Sequence, residues 1–338
     1  MLAAVLDGPG VVSVREVAAP AAAGRALVRV EQAGLCGTDL TIVAGEPPVP
    51  AGRVLGHEMS GRVEVAGPAG AVPAGTPVLV NPAVYCGLCP ECRNDLPNLC
   101  RHGGLLGRDA DGCFAELVAV PETQLHPLPD SVAAGQAALL QVLSTCVHAQ
   151  SLAPAAPGDT AVVIGLGVTG LLHLQLLRAR GVRTIVGITR SAGKQELARQ
   201  SGATAVAAPQ DAAAAVAAAT GGHGAGLVIE CAGAPGTLAQ ATELAEPGGT
   251  VIAFGITPPA AALPTYQWYY KELTIRCPRA ARPRDVDTAI RLAADRRLDL
   301  GPLVTARFPL TRTADALAAA AAGGQLKVVL DVAGREAS

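Results

Sequence analysis

Charged side chains are scarce in this chain of 338 residues. They make up 16% of the sequence, and the formal net charge is -2. Because lysine and arginine are not in excess, the sequence lacks the basic surface by which proteins bind nucleic acids or anionic membranes. Neither partner is expected, and the composition is typical of a soluble enzyme that acts on a small molecule.

The sequence also lacks clear targeting and membrane-spanning signals. The first ten residues have no basic region before an apolar one, and Asp7 interrupts the apolar run, which argues against a signal peptide. The apolar stretch from Thr160 to Leu177 has the length of a membrane span, but its glycines have nucleotide-loop spacing, and His173 and Gln175 interrupt it. A cytoplasmic protein is therefore expected.

Half of the residues (50%) are hydrophobic, which at this length is enough for two domains that each have a core. Up to about residue 130, glycine and proline separate short β-branched runs, a pattern that predicts a mostly-β domain. Farther on, strands alternate with helices, which indicates an α/β fold with a parallel, doubly wound sheet. The predicted elements in this part are a helix from Gln136 to Leu152, strands from Val182 to Ile188, Gly226 to Glu230 and Gly249 to Phe254, helices from Lys194 to Ser201, Thr237 to Leu244 and Val286 to Ala294, and a last strand from Lys327 to Val332.

A glycine-rich stretch lies at the start of this alternating region. An apolar run is followed by Gly165, Gly167 and Gly170, with Val168 and Thr169 between the last two, and then by a helical pattern. A strand, a glycine turn and a helix in this order predict a dinucleotide site, because glycines let the backbone turn sharply and approach the pyrophosphate while the helix N-terminus faces that anion. The alternative is a simple turn in a chain rich in alanine and glycine, and the flanking strand and helix argue against it.

Four of the nine cysteines lie close together, at Cys86, Cys89, Cys92 and Cys100. Four thiolates in one short loop can surround a tetrahedral ion, so the loop 86–100 is predicted to hold a structural zinc. All four ligands then come from the protein, which leaves no position for a substrate. The alternative, four unligated buried thiols, fits poorly with a segment so rich in turn-forming and polar residues.

Two further segments contribute a second set of metal-binding side chains. Cys36 is followed by Thr38, and His57 is followed by Glu58. A thiolate and an imidazole from separate loops, with one position left for water or substrate, are the elements of a catalytic zinc site. Each half alone is a weak signal, because single cysteines and histidines are more often packed than ligating. The cysteines outside both sets are predicted to be packed thiols: Cys113, Cys146, Cys231 and Cys277.

Taken together, these motifs resemble the zinc-containing medium-chain dehydrogenase/reductase family of alcohol, polyol and threonine dehydrogenases. The resemblance extends over nearly the whole chain. It implies a GroES-like, mostly-β catalytic domain at 1–143, a Rossmann domain at 144–276 and a return to the catalytic domain at 277–338. It also implies a homodimer or homotetramer that assembles through the Rossmann sheets. Four aromatic residues lie where the family has loops near the subunit interface: Tyr266, Trp268, Tyr269 and Tyr270.

The resemblance also implies roles for the second set of residues. Cys36 and His57 match two ligands of the catalytic zinc, and Glu58 matches a neighbouring carboxylate that can approach the metal. Thr38 matches the hydroxyl that takes the proton of the substrate. The implied reaction is hydride transfer between a nicotinamide cofactor and a secondary alcohol, a polyol or a sugar-like substrate, or its ketone, with zinc as the Lewis acid.

Two positions depart from the family pattern. Thr41 stands where many relatives have a histidine that relays the proton to solvent. Gln141 stands where the third zinc ligand is a cysteine, glutamate or aspartate, and a neutral amide binds zinc more weakly than an anion. A biosynthetic NADPH-dependent reductase that has lost the catalytic zinc is therefore one alternative. A non-catalytic protein that binds or senses a cofactor is another, and the retention of Cys36 and His57 argues against it.

The residues that follow the second strand of the dinucleotide fold bear on the choice of coenzyme. NAD-binding folds of this type have an acidic residue about 20 positions after the glycines, where it accepts a hydrogen bond from the ribose 2′-hydroxyl. Thr189 occupies that position here, and Arg190, Ser191 and Lys194 follow it. Cations and hydroxyls in place of an acid favour a 2′-phosphate, so NADP(H) is the predicted coenzyme. The alternative is that Arg190 is a solvated surface residue and that NAD(H) is used as well.

Overall fold

The computed structural model describes residues 1–155, 158–256 and 262–333. The chain forms two compact units. The first comprises Met1–Ser144, Ala280–Arg296 and the residues from Leu300 onward, and the second comprises Thr145–Arg279 with Arg297–Asp299. The boundaries predicted from the sequence, after residues 143 and 276, lie one and three residues before the corresponding changes after residues 144 and 279.

Strands dominate the N-terminal part of the first unit, because glycines and prolines end each short β-branched run. The elements are β1 (Leu2–Gly8), β2 (Val11–Glu16), β3 (Ala26–Gly34), α1 (Gly37–Val43), β4 (Arg53–Val54), β5 (Glu58–Val65), β6 (Pro77–Val80), β7 (Ala83–Val84), α2 (Pro90–Arg93), β8 (Gly104–Leu105), β9 (Leu117–Val120) and β10 (Leu125–Pro127). Both short helices begin directly after a cysteine, Cys36 before α1 and Cys89 before α2. Each of these cysteines is a predicted metal ligand.

Helix α3 (Leu139–Leu152) connects the first unit to the second, in which strands and helices alternate. The elements are β11 (Thr160–Ile164), α4 (Val168–Ala179), β12 (Thr184–Ile188), α5 (Gln195–Gln200), β13 (Ala205–Ala207), α6 (Ala212–Thr220), β14 (Ala225–Glu230), α7 (Thr237–Leu244), β15 (Ala245–Ala253), α8 (Thr265–Tyr270) and β16 (Thr274–Arg276). The sheet is parallel throughout, in the order β13-β12-β11-β14-β15-β16. The order reverses between β11 and β14, which is the point where doubly wound sheets bind ligands.

The C-terminal part of the chain belongs mainly to the first unit. Its elements are α9 (Pro283–Ala294), β17 (Val304–Pro309), α10 (Thr313–Ala321) and β18 (Lys327–Asp331). Strand β18 pairs antiparallel with β3, with Val329 opposite Gly34, and parallel with β17. These strands complete a sheet in the order β10-β6-β5-β3-β18-β17, with β9 also paired to β3. The large buried side chains Leu55, Met59 and Phe114 belong to the core of this unit.

The structure corrects the predicted elements at several points. The strand predicted from Val182 begins at Thr184, because Gly181 (φ 84°) turns the chain after α4. The helix predicted from Lys194 begins at Gln195, after a 3-10 turn over Ala192–Lys194. The four aromatic residues expected in loops lie in helix α8, where Tyr266, Tyr269 and Tyr270 are exposed.

The apolar stretch from Thr160 to Leu177 is divided among β11, a glycine turn and part of α4, as expected for a nucleotide-binding loop. Among the described helices, none combines the length and the apolar character needed to span a membrane.

Candidate active site and coenzyme site

The four cysteine side chains of the loop 86–100 converge in the structure. Their Sγ atoms all lie within 4.8 Å of one another, and all four are free thiols. Cys89 Sγ lies 3.4 Å from Cys92 Sγ and 3.7 Å from Cys100 Sγ, and Cys100 Sγ lies 3.6 Å from Cys86 Sγ. In a tetrahedral site with zinc–sulfur bonds of about 2.3 Å, the sulfurs lie about 3.8 Å apart. The cluster therefore has the dimensions of a zinc thiolate site.

Backbone N–H groups stabilise the thiolate forms of this cluster. Leu88 and Cys89 donate to Cys86 Sγ at 3.4 and 3.3 Å, and these two donors lower the pKa of Cys86 to about 6. Cys92 has the opposite environment, because desolvation and the neighbouring Cys89 thiol raise its pKa to about 12. A divalent cation among the four sulfurs would remove this difference, since coordination deprotonates a thiol.

A second cluster brings together Cys36, His57 and Glu58, whose ligand atoms all lie within 4.8 Å of one another. Cys36 stands at the N-terminus of α1, Glu58 is the first residue of β5, and His57 directly precedes that strand. Gly56 (φ 91°) forms the turn before them, and a Cβ at that position would overlap the ring of Phe114. A sulfur, an imidazole nitrogen and a carboxylate oxygen are a ligand set that suits zinc.

Asp39 faces the imidazole of His57. Asp39 Oδ1 lies 3.2 Å from His57 Nδ1, and Oδ2 accepts the Cys36 N–H at 2.8 Å. Burial disfavours the imidazolium, but the Asp39 carboxylate and the Cys36 side chain outweigh it and raise the pKa of His57. Because Nδ1 faces the carboxylate, Nε2 is the ring nitrogen left for a metal ion. Carboxylate–histidine pairs of this kind orient metal ligands.

Glu58 is paired with a lysine from the C-terminal part of the chain. Lys327, the first residue of β18, forms an ion pair with Glu58 Oε2, and the same Nζ donates to the carbonyl oxygen of Leu35 at 2.8 Å. The Lys327 and Glu58 side chains are 2% and 1% exposed. An ion pair this deeply buried adds no net charge to the cluster.

Three further residues considered in the sequence analysis, Thr38, Thr41 and Gln141, differ in their contacts and exposure. Thr38 Oγ1 lies 3.7 Å from Cys36 Sγ. Thr41 is exposed, and its hydroxyl donates to the carbonyl oxygen of Thr38 at 3.0 Å, within its own helix. Gln141 is half-buried in the first turn of α3, in the same unit as the cluster, and its role as a zinc ligand stays a prediction.

In the second unit, the three glycines after β11 have different surroundings. Gly165 has a φ of 89°, and a Cβ there would lie 2.8 Å from the backbone nitrogen of Ala232. A Cβ on Gly170 would overlap the carbonyl oxygen of Gly165, whereas a Cβ on Gly167 would meet no atom within 4 Å. The packing of the protein thus requires the first and third glycines. The second leaves open space at the N-terminus of α4, beside Val168 and Thr169, where an anion can approach the backbone.

The residues predicted to contact the adenosine end of the coenzyme follow β12. Thr189 is buried, and its Oγ1 accepts the Ser191 N–H at 3.2 Å. Arg190 and Ser191 are exposed, and Lys194 is half-buried. Within the described parts of the chain, the side chains of Arg190 and Lys194 have no hydrogen-bond or ion-pair partner. Both cations are free to bind an anionic ligand.

Comparison with known proteins identifies the family. The sequence profile for the alcohol dehydrogenase GroES-like domain matches residues 22–130, and that for zinc-binding dehydrogenases matches residues 167–295. A protein of Mycobacterium tuberculosis named probable zinc-binding alcohol dehydrogenase is 34% identical over 98% of this chain and 88% of its own length. The chain belongs to the zinc-containing medium-chain dehydrogenase/reductase family. The resemblance, the α/β fold class and the prediction of an NAD(P)-dependent oxidoreductase are confirmed.

Two more proteins resemble this medium-chain dehydrogenase over most of their length. The sorbitol dehydrogenase of Halalkalibacterium halodurans is 30% identical over 90% of this chain and 90% of its own. The crystal structure of a zinc-binding dehydrogenase from Sinorhizobium meliloti, bound to NADP, matches with a TM-score of 0.91 and 34% identity, covering 98% of this chain and 99% of that chain. Zinc and a nicotinamide coenzyme are the cofactors of the family to which the enzyme belongs.

Sequence reasoning assigned no role to two residues that pair with members of the metal cluster, Asp39 with His57 and Lys327 with Glu58. The signal for Asp39 was its position three residues after Cys36, which is that of an acid that caps a helix N-terminus. The signal for Lys327 was a single lysine directly before the apolar run of a strand.

The isolated cysteines differ in exposure. Cys113 and Cys146 are buried, as predicted, and Cys231 is half-buried. The packed-thiol prediction is wrong for Cys277, which is exposed because it directly follows β16, a strand at the edge of the sheet.

Proposed function

We propose that this dehydrogenase transfers a hydride between NADP(H) and a secondary alcohol, a polyol or a sugar-like substrate, or the corresponding ketone. The main support is the convergence of Cys36, His57 and Glu58, with Asp39 behind the imidazole. The similarity to the sorbitol dehydrogenase of H. halodurans supports the polyol class.

Bound zinc would supply Lewis acidity at the substrate oxygen, and a nicotinamide would accept or donate the hydride. Cys36, His57 and Gln141 would hold the ion. The Thr38 hydroxyl, beside the Cys36 sulfur, would accept the proton of a substrate hydroxyl. Because the Thr41 hydroxyl is bound to a carbonyl of its own helix, that proton would then leave through water.

A reductase without the catalytic zinc is the second candidate. Gln141 is neutral and Lys327 neutralises Glu58, so the Cys36 thiolate is the only uncompensated anion among the proposed ligands. Zinc content and activity with a panel of alcohols and polyols decide between the two. We expect two zinc ions per chain, with activity lost when brief chelation removes one, and Gln141→Glu should slow that loss. Full activity in a chain with one zinc would establish the reductase.

We propose NADP(H) as the preferred coenzyme, because Arg190 and Lys194 have no partner among the described residues and no acid stands at Thr189. Hydrogen bonds to a charged group contribute about 1.5–3 kcal/mol, so the preference in kcat/KM should be about 10-fold to 100-fold. Thr189→Asp combined with Arg190→Ala should shift it toward NAD(H). Equal kcat/KM values with the two coenzymes in the unmodified enzyme would rule out this role of Arg190.

We also propose a homodimer or a homotetramer assembled through the edge strand β16, next to the exposed tyrosines of α8. An edge strand has backbone groups that can pair with a second copy of the chain. Light scattering would test the oligomeric state, and a monomer at micromolar concentration would contradict it. The cytoplasmic location predicted from the sequence stays a prediction.

A further inference from the structure

Glu230 is a fully buried acid at the carboxyl end of β14, with 0% exposure. Among the described residues of the second unit, no other aspartate, glutamate, lysine or arginine is fully buried. Burying a carboxylate is costly unless its oxygens are paired. The role of this acid therefore depends on what its atoms bind.

The carboxylate and the carbonyl of Glu230 hold two different loops. Oε1 accepts the N–H groups of Ala232 at 2.7 Å and Gly233 at 2.9 Å. The backbone carbonyl of Glu230 accepts the N–H groups of Phe254 at 2.9 Å and Gly255 at 2.8 Å. Oε2 is buried and has no hydrogen-bond partner among the described residues. One residue thus fixes the loops that leave the carboxyl ends of β14 and β15.

The loop 231–233 also packs directly against the glycine loop. The Cys231 N–H donates to the carbonyl oxygen of Ile164 at 2.8 Å, and a Cβ on Gly165 would lie 2.8 Å from the Ala232 nitrogen. On the other side, Gly233 has a φ of 61°, and a Cβ there would lie 2.7 Å from the carbonyl oxygen of Ile256. With no space on either side, a shift of the loop would displace the glycine turn or the chain at Ile256.

The position of this loop relates it to one half of the coenzyme. A dinucleotide binds across the point where the strand order reverses, with its pyrophosphate at the glycine turn and one nucleoside over each half of the sheet. Thr189 follows β12, so the adenosine half lies on the β12 side. The loop 231–233 follows β14, on the other side of the reversal.

We propose that Glu230 is a positioning residue for the nicotinamide half of the coenzyme. Its carboxylate holds the loop 231–233 in the conformation that fits between the glycine turn and Ile256. That loop forms the β14 side of the coenzyme cleft, the crevice outside the carboxyl ends of the strands. The proposal rests on the proposed coenzyme function of the same unit. Glu230 acts through the loop and does not itself touch the reacting atoms.

The test compares two ligands of zinc-loaded, full-length enzyme by isothermal titration calorimetry. NADPH occupies both halves of the cleft, whereas adenosine 2′,5′-bisphosphate occupies only the adenosine half. Glu230→Gln keeps the side-chain shape but replaces a charged acceptor by a neutral one, which weakens both N–H bonds. We expect the Kd for NADPH to rise about tenfold while the Kd for the bisphosphate stays within about twofold.

Glu246→Gln is the matched control, because Glu246 is half-buried at the opposite, amino end of the neighbouring strand β15. It should change neither Kd. Equal changes in both Kd values for Glu230→Gln would mean a general structural role, and no change in either would mean no role; both outcomes overturn the proposal. If Glu230→Gln does not fold, Glu230→Asp decides by the same comparison, and failure of both variants to fold also overturns it. If the unmodified enzyme binds neither ligand, the proposed coenzyme function itself fails.

Discussion

Replacing Asp39 by asparagine should weaken zinc binding at the Cys36 and His57 cluster. The carboxylate has two acceptor oxygens, one 3.2 Å from His57 Nδ1 and the other bonded to the Cys36 N–H at 2.8 Å. An asparagine amide has one acceptor oxygen and one NH2 donor group, so it cannot place an acceptor against both His57 Nδ1 and the Cys36 N–H. If the amide oxygen keeps the Cys36 N–H, its NH2 group faces Nδ1, and the imidazole must carry its proton on Nε2, the nitrogen that would bind zinc. If the amide turns over, the N–H at the start of α1 loses its partner.

The expected loss follows from these two outcomes. Loss of a partner that orients a metal-binding histidine typically weakens metal affinity by about 10-fold to 100-fold, or about 1.4–2.7 kcal/mol, and loss of a helix cap costs about 1 kcal/mol. Zinc affinity would be measured by equilibration against a competing chelator, and stability by urea unfolding. Asp285→Asn is the matched control, because Asp285 Oδ2 accepts the Arg282 N–H at 3.0 Å in the same position of helix α9. It should reduce stability but leave zinc affinity unchanged, and an Asp39→Asn enzyme that binds zinc within about twofold of the parent would refute the reasoning.

Three further predictions test other parts of the structure. Cys89→Ala should lower the zinc content by one ion per chain and destabilise the first unit, and unchanged zinc content would contradict a structural site there. Gly167→Ala should change the free energy of unfolding by less than about 0.5 kcal/mol but raise the Kd for NADPH about tenfold. Gly170→Ala should lower the free energy of unfolding by about 1–3 kcal/mol. Equal effects of the two substitutions on unfolding would contradict the difference in their surroundings. Burial, with the nearby Arg180 charge, lowers the pKa of His173 to about 3. The unfolded chain, in which this pKa is about 6.5, therefore binds an extra proton at acid pH, so stability is complete above pH 6.5 and falls by about 2 kcal/mol on reaching pH 5. His173→Gln should lack this loss in urea titrations, and an unchanged pH dependence would exclude His173 as its source.

The parts of the site that the sequence predicted well are those that short stretches of chain determine. The four cysteines of the structural cluster lie within one loop, so their spacing nearly determines that they can share one ion. The glycine turn is also recognisable locally, because a strand, three glycines and a helix follow one another in the sequence, and Gly170 is required by a contact within the turn itself. The parallel, doubly wound sheet follows from the regular alternation of strands and helices.

The parts that could not be predicted depend on contacts between distant segments. The pairing of Lys327 with Glu58 requires β18 to lie beside β3, and nothing in either local sequence shows this. The position of Asp39 next to His57 requires the turn at Gly56 to bring β5 toward α1. Helix α8 was missed because it is short and its three tyrosines are exposed, so that Trp268 alone does not show the periodicity of a helix with a buried face.

The ion pair between Lys327 and Glu58 increases the effect on zinc binding of having a neutral glutamine, Gln141, in place of an anionic third ligand. With a free glutamate beside the cluster, a neutral third ligand would be offset by a nearby negative charge. Lys327 removes that charge, so a divalent ion held by the Cys36 thiolate, a neutral imidazole and an amide would keep one net positive charge among its ligands, and the Asp39 carboxylate would offset it only from behind the imidazole. At an effective dielectric constant of about 20, two unit charges 4 Å apart interact with an energy of about 4 kcal/mol. The same excess charge that weakens the hold of the protein on zinc would strengthen the polarisation of a substrate oxygen, so weak metal retention and strong Lewis acidity have a common origin in these two residues.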